Sequence, residues 1–147
     1  MQIFEIREAI AEAASAAVLP AGVGELTCTG YLPDSIYEPH FFVGEYDQEY
    51  DRTYGGVDRV EFTCRVLVGR ADDLSAQKIL DSLLSRHGAA SLKTAIEAAR
   101  GVPGAMALGG LAHDLRVMRV QAYRWYEHAG TKYVGAELVI EVIGDGA

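Results

Sequence analysis

The strongest constraint on the fold is the two-residue alternation of apolar side chains in the last third of the chain. The final run places apolar residues at every second position: Val134, Ala136, Leu138, Ile140 and Val142. A shorter run precedes it, formed by Met118, Val120 and Ala122. Successive side chains of a β-strand point to opposite faces, so a period of two predicts two strands, each with one buried face. We therefore expect a long hairpin from Leu115 to Ile143.

The spacing of these two runs also predicts how the hairpin arms pair. A three-residue turn at His128-Ala129-Gly130 sets the two apolar rows side by side, whereas a two-residue turn would shift the register by one. We therefore expect the three-residue turn. The pairs that it predicts are Ala122–Ala136, Val120–Leu138, Met118–Ile140 and Trp125–Tyr133.

The rest of the sequence predicts three helices and three more strands. Apolar residues at helical spacing indicate a helix over 2–18, a second from Asp72-Asp73 to near Gly88, and a third from Ser91 to Gly101. Strands are expected at 25–32, 40–45 and 57–68. The order α-β-β-β-α-α-β-β predicts a single α+β domain over 1–147. Its sheet is mixed but mainly antiparallel, with helices on one face.

Charge and hydropathy exclude several classes of protein. The chain has 13 Lys and Arg against 21 Asp and Glu, a formal net charge of −8. Nucleic-acid binders need a positive face to displace counterions from phosphates, so this balance argues against that class. The two longest uncharged stretches, 13–24 and 101–112, are too short to cross a bilayer, and the N-terminus has no signal-peptide pattern. We expect a protein made in the cytoplasm, with no membrane partner.

No motif in the sequence indicates catalysis or a cofactor. The four histidines have no second ligand at metal-binding spacing, and no nucleophile, phosphate-binding or dinucleotide motif is present. Cys28 and Cys64 stand alone in predicted strands. We expect them to be reduced core thiols, with a disulfide between them as the alternative. The prediction is therefore no catalytic residue, no cofactor and no metal.

An acidic, tyrosine-rich segment is the most distinctive local pattern. Its carboxylates occupy alternate positions at Glu45, Asp47, Glu49 and Asp51, and Tyr46, Tyr50 and Tyr54 lie among or just after them. Calcium loops begin with a similar spacing, but here Tyr50 stands where the loop requires glycine. In an extended strand the acids form one face and Tyr46 and Tyr50 the other. We expect a solvated edge or a protein interface, although the tyrosines can also cover the core.

The segment 101–112 has no periodicity and is expected to be a loop. It carries Val102, Met106, Leu108 and Leu111 on a glycine-rich backbone. Two interpretations stay open: the loop closes over the sheet, or it is a docking arm that orders against a partner.

The helical middle of the chain resembles that of the tail terminator proteins of long-tailed, siphovirus-type bacteriophages. The resemblance lies in Asp73–Leu84 (DLSAQKILDSLL), Gly88 and Ser91–Glu97 (SLKTAIE). The flanks agree in order and character: an N-terminal helix, early strands with prolines, the acidic segment ending in Tyr50–Tyr54 (YDRTY), and a final hairpin.

This resemblance implies a structural virion protein of the tail and neck rather than an enzyme. A homohexameric ring would cap the completed tail tube and join it to the head-completion or connector protein. DNA would only pass, without specific binding, through an acidic bore that some of Glu45, Asp47, Glu49 and Asp51 would line. Two alternatives stay open: another head-closure or minor tail protein, and a small ligand-binding or enzymatic α+β domain with 101–112 as its lid.

Overall fold

The computed structural model describes residues 1–50, 56–70, 74–100 and 106–145. These contain three α-helices: α1 (Ile3–Ala14), α2 (Leu74–Leu84) and α3 (Leu92–Glu97). Short 3-10 turns follow at Ala98–Arg100 and Leu108–Gly110. The strands are β1 (Thr27–Thr29), β2 (His40–Glu49), β3 (Val57–Arg70), β4 (Asp114–His128) and β5 (Thr131–Asp145). The predicted α+β class and element order are confirmed.

All five strands belong to one sheet, in the order β1-β2-β3-β5-β4. The short β1 pairs parallel to β2, and every other neighbouring pair is antiparallel. The sheet is therefore mixed but mainly antiparallel, as predicted. In this order β5 lies between β3 and β4, so the last strand of the chain is interior and β4 is at one edge.

The core lies between the helices and one face of the sheet. The alternating row of β5 is buried there, from Val134 to Val142, opposite Val60, Phe62, Cys64 and Val66 of β3. The helices contribute Ile6, Ile10, Leu80, Leu83, Leu92 and Ile96, all fully buried. Helices thus cover a single face, which leaves the opposite face of the sheet without a helical layer among the described residues.

The turn of the C-terminal hairpin differs from the prediction. His128 pairs with Thr131, so the turn has two residues, Ala129 and Gly130, with φ of 50° and 82°. This is the left-handed geometry that matches the twist of two antiparallel strands. Trp125 consequently lies opposite Val134, and the predicted Trp125–Tyr133 pair is wrong.

Two irregularities in β4 then change the register again. One falls between Val117 and Arg119 and the other between Gln121 and Arg124. The Val120–Leu138 pair is confirmed, but Val117, not Met118, lies opposite Ile140, and Ala122 falls within the second irregularity. A β-bulge inserts a residue into one strand, so a strict period of two no longer predicts faces beyond it. This corrects the expected apolar row of β4.

Other boundaries are shorter than predicted. The first helix ends at Ala14 instead of residue 18, and β1 spans Thr27–Thr29 instead of 25–32. The strand ends early because the Thr29 hydroxyl donates to the carbonyl of Tyr31, which turns the chain. The second helix ends at Leu84, short of Gly88, and its expected start at Asp72-Asp73 lies outside the described residues. None of the described helices has the length and apolar character needed to span a membrane.

Candidate functional site

The face of the sheet opposite the helices carries most of the charged side chains of the sheet, and we call it the charged face. A small buried apolar cluster of Phe42, Leu67 and Tyr126 lies on the same face. The charged face comprises Glu45, Asp47, Glu49, Arg59, Glu61, Arg65, Arg116, Arg119, Gln121, Arg124, Glu137 and Glu141. Four neighbouring strands contribute to it. Its position follows from the register, because residues opposite one another in an antiparallel pair share a face.

One ion-pair network extends across three strands of the charged face. Arg59 Nε donates to Glu141 at 2.6 Å, and another Arg59 nitrogen donates to Glu61 at 2.6 Å. From the neighbouring strand, Arg116 contacts Glu141 at 3.3 Å and Arg119 contacts Glu61 at 3.4 Å. Burial raises the pKa of Glu141, but the bonds from Arg59 and Arg116 outweigh it and hold that pKa below its usual value.

A second network centres on Glu137, which is 9% exposed. Its carboxylate accepts from Arg65 at 2.9 Å and from the Gln121 amide at 3.1 Å. The Arg65 guanidinium also stacks on the ring of Tyr126, 4.4 Å from its centre. Burial raises the pKa of Glu137, and the bonds from Arg65 and Gln121 overcome that effect and lower it. Both networks therefore fix charged side chains against one another.

The acidic segment lies largely on β2 at the border of the charged face. Asp47 is opposite Glu61 and Glu49 is opposite Arg59, whereas Tyr46 is opposite Phe62 and points to the helical side. Glu45 sits in an irregularity between Val43 and Tyr46. Glu45, Tyr46, Asp47, Glu49 and Tyr50 are all exposed. Asp51 and Tyr54 lie outside the described residues.

A cavity of about 330 Å³ opens between α1 and the irregularity of β2. Arg7 forms part of its wall and donates to the carbonyls of Gly30 at 3.1 Å, Val43 at 3.0 Å and Gly44 at 2.8 Å. The same guanidinium lies over the ring of Tyr31 at 4.7 Å. Arg7 therefore serves to fix the strand irregularity to the helix.

The candidate docking loop is only partly exposed. Leu108 is 6% exposed, Leu111 packs against the core, and Ala107 and Ala112 form a β-bridge that closes the turn. Met106 is 46% exposed, and Val102 lies outside the described residues. Leu108 and Leu111 therefore pack over the core. At these two residues the structure favours the interpretation of a loop that closes over the sheet.

An exposed apolar row on β4 was not predictable from the sequence. Val120 is 42%, Tyr123 45% and Trp125 63% exposed, all on the helical side of the sheet. Burial and the nearby Asp81 carboxylate of α2 raise the pKa of Tyr123, which lies at the border of the helical layer. Whether an apolar residue on that side is buried depends on how far the helices extend, and no local pattern reports this.

His40 and the two cysteines have structural roles. His40 accepts from the Tyr37 backbone N–H at 3.1 Å and contacts the Thr29 hydroxyl at 3.1 Å, which joins β1 to β2. Burial, followed by the charge of His128, lowers the pKa of His40. Both cysteines are free, and burial raises the pKa of each thiol, that of Cys28 to about 12. Within the described ranges no group of three or more His, Cys, Asp or Glu is placed to hold a metal ion.

Comparison with known proteins assigns no family: neither a family model nor a curated protein matches the chain. The function must therefore be argued from the surfaces themselves. The charged face is extended, and two ion-pair networks hold most of its charges, which suits a wall against water or another macromolecule.

Proposed function

We propose that this chain is a structural subunit of a bacteriophage tail. Six copies assemble into a ring that caps the completed tail tube and joins it to the head-completion protein. The resemblance of the helical middle and the flanks to tail terminators supports the proposal. The confirmed element order is compatible with that resemblance.

The observation that carries the proposal is the charged face. A bore for DNA needs a hydrophilic wall to which phosphates do not adhere. Here Arg59 and Arg65 are held by carboxylates at 2.6–2.9 Å, so a phosphate would have to displace an existing ion pair. Six copies at −8 each carry roughly −48, a field that repels DNA. We propose that the charged face, with Glu45, Asp47 and Glu49 at its border, faces the bore.

The test uses purified chain and tail tubes assembled from the tube protein of the same genome. Negative-stain electron microscopy should show a ring at one end of each tube and should show none on tubes alone. Tubes should also stop growing when the chain is added. Tubes that stay bare and keep growing would contradict the proposal.

The cavity beside Arg7 favours one second candidate, the binding of a small anionic ligand. Its wall combines the apolar Leu32 and Phe42 with Arg7 and Arg65. Benzoate is a suitable probe, because it presents a carboxylate on an apolar ring. Saturable NMR shifts at the Gly44 amide that disappear in Leu32→Trp would support binding. If no such shifts occur, the binding proposal is contradicted, and the cavity is a packing defect beside the strand irregularity.

A further inference from the structure

We infer that copies of the chain join head to tail, with β4 of one copy pairing antiparallel with β2 of the next. This inference rests on the proposed ring and specifies which surfaces form its subunit contact. The occupant of each sheet edge is therefore a second copy of this chain.

Within the described residues, both outer edges of the sheet are covered at one end and have no strand partner over the remainder. On β2, the short β1 pairs only with His40, Phe41 and Phe42, and Arg7 takes the carbonyls of Val43 and Gly44. Beyond these, no described strand pairs with the outer edge of β2. An open strand edge is a template for another strand, and proteins normally cover it.

The edge of β4 is covered in the same partial way. The Val117 N–H donates to the Glu97 carboxylate at 2.9 Å, and Lys93 contacts the Val117 carbonyl at 3.3 Å, so α3 closes the edge there. From Arg119 to His128 the described part of the chain provides no further strand. Coverage therefore stops at a definite point on each edge, which leaves two segments available for pairing.

The two open edges carry opposite charge on the same face of the sheet. In its open segment, 119–128, β4 places Arg119 and Arg124 on the charged face and its one acid, Glu127, on the other face, whereas β2 has three carboxylates and no Lys or Arg. Arg119 retains a side chain that is 50% exposed. In a shared sheet, opposite residues approach within about 5 Å and diagonal ones within about 8 Å. With Arg124 opposite Glu45, Arg119 would be diagonal to Asp47, within reach of its long side chain.

The helical side of the same edges is also complementary. There β4 exposes Val120, Tyr123 and Trp125, and β2 exposes Tyr46, which is 43% exposed, with Tyr50 directly after the strand. Interfaces between proteins are enriched in tyrosine and tryptophan at their centre. Head-to-tail pairing would bury these side chains together while the charges pair on the other side.

Strand direction makes this contact compatible with a closed ring. Antiparallel pairing alternates from β2 through β3 and β5 to β4, so β4 runs opposite to β2. A rotation about an axis inclined to the strands preserves these directions and staggers neighbouring copies along the strands, as in a tilted barrel. This stagger is required, because within one copy Asp47 is level with Arg116, at the covered end of β4. Because the two surfaces differ, the contact is heterologous and closes into a ring when the rotation allows.

The test is a charge exchange between the two edges. Reversing the acidic edge (E45K/D47K) or the basic edge (R119E/R124E) puts like charges at the contact, and each variant alone should lose ring formation, in solution or on tubes, at least tenfold. Mixing the two variants should restore it, because the reversed edges attract and the two native edges also meet. The four-fold variant carrying all substitutions in one chain should assemble alone. Arg116 is left unchanged because it pairs with buried Glu141.

Matched controls change the net charge equally elsewhere. E5K/E12K on exposed positions of α1 and K78E/R86E on exposed positions near α2 should assemble like the unmodified chain. Circular dichroism of every variant separates loss of assembly from loss of fold. If a double substitution on one edge prevents folding, the single substitutions Asp47→Lys and Arg124→Glu take its place in the same exchange.

The outcomes separate this contact from the proposed function. Rings that depend on charge exchange but never bind tubes would support the contact and contradict the capping role. Single-edge variants that cap tubes as well as the unmodified chain would overturn the contact and leave the capping role standing. A chain that stays monomeric with and without tubes would contradict both.

Discussion

At the scale of single residues, charged side chains in this protein act mainly as connectors. Arg7 joins α1 to three carbonyls of the β1–β2 region, and Glu137 joins β3 and β4 through Arg65 and Gln121. Removing such a side chain leaves its partners with unmet hydrogen bonds. Its energetic effect should therefore exceed that of an exposed charge of the same type.

Replacement of Arg7 by Met is predicted to destabilise the fold by about 2–4 kcal/mol. The charge-assisted bonds to the Gly30, Val43 and Gly44 carbonyls are lost, and each such bond contributes about 1.5–3 kcal/mol before relaxation. Urea unfolding followed by circular dichroism measures the change. Arg86→Met, at an exposed position, is the matched control and should change the free energy of unfolding by less than about 0.5 kcal/mol. Equal effects of the two substitutions would contradict the role of Arg7.

The acid sensitivity of the protein should depend on Glu137 and Glu141. The pKa of each is lowered in the folded state, so both bind fewer protons there than in the unfolded chain. Their contribution is complete above the unfolded value of about 4.3 and is lost as pH falls through the folded pKa. The free energy of unfolding should therefore decrease below about pH 4.5.

Glu137→Gln tests this assignment. At pH 7 the variant should be about 1–3 kcal/mol less stable, because Arg65 loses its carboxylate, and the decrease in stability below about pH 4.5 should be shallower. Glu127→Gln on the same hairpin is exposed and should leave stability at pH 7 nearly unchanged. An unaltered acid slope in Glu137→Gln would assign the acid sensitivity to other groups.

At the scale of elements, sequence patterns correctly predicted the features that depend on residues close together in the sequence. The buried row of β5 and the Ser91 cap of α3 follow from spacing and residue type, and Ser91 does accept from the Thr94 N–H at 3.2 Å. The faces of β4 could not be predicted in this way, because its two irregularities shift the register. Contacts distant in the sequence, such as the Val117 N–H bond to the Glu97 carboxylate, are not visible in the alternation.

The candidate site was likewise predictable from the sequence only in part. Glu61, Thr63 and Arg65 were recognisable as the polar side of a strand, and the acids of β2 as an alternating row. Their assembly into one charged face required the strand order, because β5 is inserted between β3 and β4. That placement brings Glu137 and Glu141 to Arg65 and Arg59 across long sequence separations.

The hairpin turn offers a direct test of the corrected register. Ala129 has a φ of 50°, a conformation that asparagine and glycine adopt more readily than alanine. Ala129→Asn should therefore stabilise the protein by about 0.5–1 kcal/mol, and Ala129→Val should destabilise it. Thermal unfolding compares the two variants. Destabilisation by asparagine would contradict the two-residue turn.

At the scale of the whole molecule, the sheet separates a helical layer from a hydrophilic wall. The wall holds Arg59 and Arg65 in ion pairs, and the chain as a whole is strongly acidic. The open edges are the surfaces through which we propose that the wall continues from copy to copy. No single side chain would then perform the function, which would belong to the assembled surface.

The net charge and the ion pairs of the charged face predict how strongly the protein binds DNA. The unmodified chain should not retain double-stranded DNA at low salt, because its net charge repels phosphate and carboxylates hold Arg59 and Arg65. E49Q/E61Q reduces the negative charge and releases Arg119 and two ion pairs of Arg59, so it should retain DNA more strongly. Fluorescence anisotropy of a labelled duplex measures both. Tight binding by the unmodified chain would contradict a non-adhesive wall.

The most direct test of the central claim is electron cryomicroscopy of the ends of tail tubes incubated with this chain. The account predicts a closed ring of copies at one end, with the charged face toward the bore and β4 of each copy beside β2 of the next. Bare tube ends, or a ring whose helices face the bore, would contradict it.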